Sequence, residues 1–334
     1  MVNLKQSLPT SALSLLAVAA GCLGTQASAH AATLLNVTPT NDANTLANTI
    51  VGSGVTISKP TYTGASVASG TFTGGNAAGL GIDSGIMLTT GKATDASNPS
   101  SAFTNGTAGD TNNGKLGDTD LNGLTGGYST YDAAALQFNF NVAPGSNSLF
   151  FKYAFASEEY QSYANTSYND AFGFFLDGKN VALLPGTTTP VSINTVNGGN
   201  PLPTSSNAKN SQYFVNNRTD TGTTASQNIV YQGFTKPLTV DVSGLSAGTH
   251  TIKLAVADTS DSALDSAVFI QAGTFSNAPP PVTTPIVTPL TTPSAEAVPE
   301  PSSILSTLGF GVLGAGYMLK RSKQKPAKPN TGIA

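Results

Sequence analysis

The stretch LFFKYAFASEEY, Leu149 to Tyr160, decides how the rest of the chain is read. Leu149, Phe151, Tyr153 and Phe155 alternate with Phe150, Lys152, Ala154 and Ala156. A period of two sends successive side chains to opposite faces of a strand, so one face of this one is buried. The run ends on Glu158 and Glu159, two neighbouring carboxylates in a chain of which only 10% is charged. If the strand continued, the two would point to opposite faces. The polar, turn-rich QSYANTSYND that follows indicates that the chain leaves the sheet there. It returns with Asn169 and Asp170 just ahead of another apolar run, AFGFFL.

The same period recurs elsewhere. Leu136, Phe138, Phe140 and Val142 alternate with Gln137, Asn139 and Asn141, and Ile252, Leu254 and Val256 alternate with Thr251, Lys253 and Ala255. Asp177-Gly178, between AFGFFL and NVALL, is a hairpin signal. Ala143-Pro144-Gly145-Ser146 and Ser246-Ala247-Gly248 punctuate other strands. No amphipathic helix is expected between Ala32 and Ser276. Thr104 to Tyr128, rich in Gly and Asn, reads as a long surface loop. The expectation is an all-β body, one large β-sandwich of jelly-roll kind, with an N-terminal signal peptide and a C-terminal transmembrane helix.

Both ends of the chain carry that expectation. Lys5, the apolar Ala12 to Leu23 and the small-residue sites Ala27-Ser28-Ala29 and Ala29-His30-Ala31 read as an export signal over 1–31, cut by a signal peptidase after Ala29 or Ala31. Ala20-Gly21-Cys22 is only a faint lipoprotein box, because Ala19 stands where Leu is expected. Cys22 is the one cysteine, so the exported body relies on core burial and not on disulfides. At the other end, 277–298 is a Pro/Thr-rich linker of extended, semi-rigid kind. Ser302 to Leu319 is apolar, and at about 1.5 Å per residue just spans a hydrocarbon core of about 30 Å. Lys320, Arg321, Lys323, Lys325 and Lys328 follow and belong on the cytoplasmic side.

From Ala32 to Ser276 the body holds 16 Asp and Glu against 9 Lys and Arg, a net of −7. That argues against nucleic acid as its partner and suits cations. Much of the acid falls in two loops. Glu158, Glu159, Asn169 and Asp170 lie between one pair of strands; Asp258, Asp261 and Asp265 lie between another, TIKLAVA and AVFIQAG. If the two loops met, they would offer the oxygen donors from which Ca²⁺ draws its six to eight ligands. The competing readings are solvated turn capping and a glycan-cleaving enzyme pairing Glu158 or Glu159 with Asp170 or Asp261. Other chemistries are poorly supplied. His250 is the one histidine of the mature body, with no carboxylate near it in sequence. That is too little for a zinc enzyme or a Ser-His-Asp triad. Tyr153, Tyr160, Tyr163 and Tyr168 suit either sugar stacking or core packing.

Two resemblances follow from these stretches. Pro299-Glu300-Pro301, the apolar run and the basic end together resemble the PEP-CTERM sorting signal, spanning 299–325 ahead of a cytoplasmic tail at 326–334. The resemblance implies export by a Gram-negative bacterium, a transient inner-membrane anchor cut by an exosortase-type enzyme, and association with extracellular polysaccharide and biofilm. FASEEY, then NDAFGFFLDG, then DTSDSALDSAVF, with GIDSGIMLTTG upstream, resemble the choice-of-anchor L domain. That resemblance implies an exported β-rich domain on varied surface anchors and no established activity. Its members often read YDGFT where this chain has Tyr231-Gln232-Gly233-Phe234-Thr235, so one acid is missing here. The expectation is a non-enzymatic cell-surface or matrix protein with a body at 32–276, stabilised by calcium, with polysaccharide as a partner. A purely structural matrix protein without metal is the bland alternative.

Overall fold

The computed structural model describes residues 35–99, 109–200, 206–218 and 227–280. The expected signal peptide, the linker beyond 280, the sorting signal with its helix Ser302 to Leu319, and the tail lie outside the described residues. Among the described residues no helix is long and apolar enough to cross a membrane.

The body is mostly β. Its strands are β1 (Asn36–Pro39), β2 (Thr56–Thr63), β3 (Ser69–Thr73), β4 (Gly85–Thr89), β5 (Thr130–Val142), β6 (Ser148–Ser157), β7 (Ala171–Leu176), β8 (Lys179–Asn180), β9 (Phe214–Asn216), β10 (Gly233–Thr235), β11 (Leu238–Ser243), β12 (Gly248–Thr259) and β13 (Ser266–Gln271). They form two antiparallel sheets. The larger has the order β1-β3-β4-β13-β6-β10-β9, with β11 continuing beyond β10 along the same edge of β6; the smaller has the order β2-β5-β12-β7-β8. The sheets face each other over one core. Phe138, Phe140, Phe172, Phe174, Ile252 and Leu254 from the smaller meet Ile86, Leu88, Phe151, Tyr153, Phe155 and Val268 from the larger. Phe155 stacks on Phe172 at 4.6 Å, and Phe275 sits within 5.5 Å of Phe138, Phe140 and Phe151.

The alternation read from the sequence is the alternation observed: Leu136, Phe138, Phe140 and Val142 are buried, while Gln137 and Asn141 are exposed. The outward faces are not all wet, however. Ala154, Ala156, Ala267 and Phe269 of the larger sheet lie under a second cluster with Leu80, Ile82, Ala93, Ile229 and Tyr231. Ala133, Ala135, Ala255 and Ala257 of the smaller sheet lie under Leu121. Alanine on those outward positions leaves room for the covering segments.

Two expectations need correction. A helix does form: α1 (Ala43–Ile50) buries Leu46, Ala47 and Ile50. Asp42 caps it by accepting from the Asn44 and Thr45 N–H groups. Its apolar face covers little more than one turn, too short for a periodic signal. The described part of the Gly/Asn-rich stretch is also more than a surface loop. It contains α2 (Thr119–Asn122), capped by Asp118, with Leu121 fully buried. The Asp177-Gly178 hairpin is observed between β7 and β8, with φ of 47° and 81° at its two turn residues.

Candidate functional site

The two acidic loops connect the sheets. β6 belongs to the larger sheet and β7 to the smaller; β12 belongs to the smaller and β13 to the larger. Each loop therefore crosses the seam between the layers. The register puts both crossings at one end, because Ser157 pairs with Ser266 and Ala257 with Ala171. β5 begins there, Thr130 opposite Thr259, and β4 ends there, Thr89 opposite Ala267.

Between the sheets, Asp170 ties the loops together. Its Oδ1 accepts from the Thr259 N–H at 2.9 Å and its Oδ2 from the Ser266 hydroxyl at 2.6 Å. Asp258 is fully buried beside it. Neither Asp258 oxygen has a hydrogen-bond partner, nor does the neighbouring Thr259 Oγ1. The Thr90 hydroxyl lies near enough to favour the Asp258 carboxylate but outside bonding geometry. Glu159 opens a 3-10 turn; its N–H donates to Ser157 Oγ at 2.9 Å and its Oε2 is buried without a partner.

On the other face of the larger sheet lie Glu158 and Asp265. The Glu158 N–H donates to the Asp265 carbonyl at 3.2 Å, and both carboxylate oxygens of Glu158 are buried and unpartnered. Both Asp265 oxygens accept from the Thr111 N–H at 3.3 Å. A strap from Gly109 to Lys115 closes over this end. Asp132 anchors it by accepting from the N–H groups of Asn113 and Lys115 at 2.9 and 2.5 Å. Two glycines make the room: a Cβ on Gly109 would overlap Glu158 Oε1, and one on Gly91 would overlap Asp265 Oδ2.

These carboxylates resist ionisation. Burial first, then the charge of Asp265, pushes Glu158 well above the usual range. Burial and then Asp170 push Asp258 well above it too. Burial also raises Asp170, although its bonds from Ser266 and Thr259 oppose the shift. Glu159 is pushed up to about 10 by burial and by Asp170 and Asp261; Asp265 is pushed up to about 7, chiefly by burial. The charges bearing on this group are negative too: beside one another's, those of Asp95, Asp110, Asp132 and Asp261. The ion pairs Lys253–Asp118, Lys253–Asp120 and His250–Asp177 lie elsewhere. Buried like charges are held by protons or by a cation. The donors are all oxygen, a set for a hard cation and not for zinc. Among the described residues no three Asp, Glu, His or Cys side chains come close enough to hold a metal by themselves. A cation here would need the Thr259 hydroxyl and backbone carbonyls beside the carboxylates.

The expected residues thus divide. Asp170, Asp258 and Glu159 gather between the sheets, and Glu158 and Asp265 on the far face. Asp261 is exposed, its Oδ1 accepting from the Ala263 N–H. Asn169 points away: its Oδ1 accepts from the Asn194 N–H at 2.8 Å. Asp132, Thr259, Gly91 and Gly109 were not singled out by the sequence reading. Asp132 carried no signal of phase, because a bulge at its φ of 47° interrupts the alternation of β5 between Tyr131 and Ala134. Glu158, Glu159 and Asp170 are at most 1% exposed, so a glycosidic bond has no access to them through the described residues. Tyr153 and Tyr160 are buried in the core and offer no platform for a sugar; Tyr163 is exposed, paired edge-on with Tyr168 at 5.1 Å.

His250 also needs correction, because the fold does supply it with a carboxylate. Its Nδ1 is 2.6 Å from Asp177 Oδ2, and its Nε2 is 2.9 Å from the Ser246 carbonyl and 3.4 Å from the Ser246 hydroxyl. The arrangement resembles a Ser-His-Asp triad but lacks its base. Both ring nitrogens face acceptors, which favours the charged ring, and a ring that already holds both protons cannot take one from serine.

A family model, the choice-of-anchor L domain, matches residues 36–276, from the first residue of β1 to beyond the end of β13. Comparison with curated proteins and with solved structures finds no match. Domains of this kind are associated with the cell surface. The two-sheet body is the matched region, and the chain belongs to the choice-of-anchor L domain family.

Proposed function

We propose that this chain is an exported, non-enzymatic protein of the cell surface or extracellular matrix whose acidic end is held together by calcium. Its body is a β-sandwich on a Pro/Thr stalk. The apolar C-terminal run is a temporary anchor, removed near Pro299-Glu300-Pro301, and the mature protein works among extracellular polysaccharide. The observation that carries the calcium reading is Asp258: a fully buried aspartate, both oxygens unpartnered, beside the equally buried Asp170. A buried charge without a partner is costly, and a divalent cation offsets that cost where a hydrogen bond does not. Export supports the choice of ion, since hard oxygen sites of modest affinity suit extracellular calcium.

The test is the thermal midpoint of the full chain with excess calcium and with chelator. A cation bound only by the folded state at 100 times its dissociation constant adds about 2.7 kcal/mol. That raises the midpoint by several degrees. Asp258→Asn should reduce the rise. No shift at millimolar calcium sinks the metal reading and leaves protonated carboxylates in a purely structural matrix domain.

A further inference from the structure

We propose that the acidic end holds two separate cations, one on each face of the larger sheet, and not one ion shared by both loops. This rests on the calcium reading above and goes beyond it in number and place.

The partition follows from strand geometry. Successive residues of a strand point to opposite faces. Ser266 reaches inward to Asp170 of the smaller sheet, so Asp265, one residue earlier, turns outward against Gly91 and Thr111. On β6, Phe155 faces the shared core and Ala156 the outer cluster; Glu158, in phase with Ala156, joins the outer side. Tyr231 of that cluster feels both Glu158 and Asp265. Asp170 is in phase with Phe172 and Phe174 of β7, and Asp258 with Leu254 and Val256 of β12, all of which face the shared core. The paired backbones of β6 and β13 run between the two groups.

Calcium ligands stand about 2.3–2.6 Å from the ion, so oxygens sharing one ion lie within about 5 Å of each other. Carboxylates on opposite faces of a sheet are kept apart by its paired backbones, although the charge of Asp265 bears on both Asp170 and Asp258. Each group has its own reason to hold an ion. Asp258 is unpartnered and fully buried on the inner side, and Glu158 is unpartnered and fully buried on the outer. The outer position is also shaped: Gly109 and Gly91 leave the space that the Glu158 and Asp265 oxygens occupy. The Asp265 N–H donates to the Gly109 carbonyl at 3.0 Å, which holds the strap over them. The inner cation joins the two sheets. The outer one fastens the strap to the larger sheet.

The experiment is calcium stoichiometry on the full chain by titration calorimetry, with Glu158→Gln, Asp258→Asn and Gly109→Ala. The unmodified chain should bind two equivalents. Glu158→Gln and Gly109→Ala should each lose one and keep the equivalent that Asp258→Asn removes; Asp258→Asn should keep the other. Gly109→Ala retains every carboxylate, so its loss reports the fit of the strap over the outer position, with its backbone at φ 94°, and not charge. One equivalent in the unmodified chain overturns the two-cation proposal while the calcium reading stands. Two equivalents lost together in a folded single variant also overturn it, since that describes one joint centre. No binding at millimolar calcium removes both readings. The unmodified count decides the matter even if a variant does not fold.

Discussion

The Ser266 hydroxyl donates to Asp170 Oδ2 at 2.6 Å, joining residues 96 positions apart and on different sheets. It is the shortest link between the two acidic crossings. Asp170 spends its other oxygen on the Thr259 N–H, so one buried carboxylate fixes both strand ends of the second loop.

Ser266→Ala should therefore destabilise the body. The variant leaves a buried carboxylate oxygen without its donor, which costs about 1–3 kcal/mol. Chemical denaturation of the variant and the unmodified chain measures it. A difference below about 0.5 kcal/mol would mean that water or another donor replaces the hydroxyl.

In chelator, stability should fall as pH rises. Glu159 and Asp265 have folded values raised to about 10 and about 7, so the folded state keeps protons that the unfolded state releases. Their stabilising contribution is full below the ordinary values of 4.5 and 3.8 and declines up to the raised ones. The metal-free chain should melt higher at pH 5 than at pH 8. Calcium should narrow that gap, because it favours the ionised forms. Melting curves at the two pH values, with and without chelator, decide it; a metal-free midpoint that is higher at pH 8 would contradict the burial of these groups as acids.

At the opposite end, His250 should titrate above its ordinary 6.5. The Asp177 carboxylate and the Ser246 carbonyl both favour the charged ring. Its contribution is complete below 6.5 and is lost as pH rises through the raised folded value. Asp177 is lowered by the same contact, with burial opposing, so its share appears above 3.8 and is lost as pH falls through the lowered value. Asp177 is half exposed, so solvent screens the pair. An NMR titration of the ring protons should place the midpoint above 6.5, and Asp177→Asn should bring it down. An unchanged midpoint in that variant would show that the Ser246 carbonyl alone holds the proton.

Much of the body was legible because burial imposes a period. Phe138, Phe151 and Leu254 announce their strands, and Asp177-Gly178 announces its hairpin. α1 was not legible, since Leu46, Ala47 and Ile50 cover too few turns to show a helical repeat. The second covering layer was hidden as well. Alanines at 154, 156, 255 and 257 look like indifferent surface positions until loops far away in sequence close over them.

The acids show the same division. Their phase was already written in the strands: Asp170 with Phe172 and Phe174, Glu158 with Ala154 and Ala156. The sequence by itself determined the two-face alternation and the placing of carboxylates at strand ends, because both are local consequences of backbone geometry. Only the tertiary structure decided that the two loops cross at one end, that Glu158 and Glu159 part company across a sheet, and that His250 meets Asp177. Those depend on which strands pair, and strand pairing is settled by contacts between residues far apart in the chain.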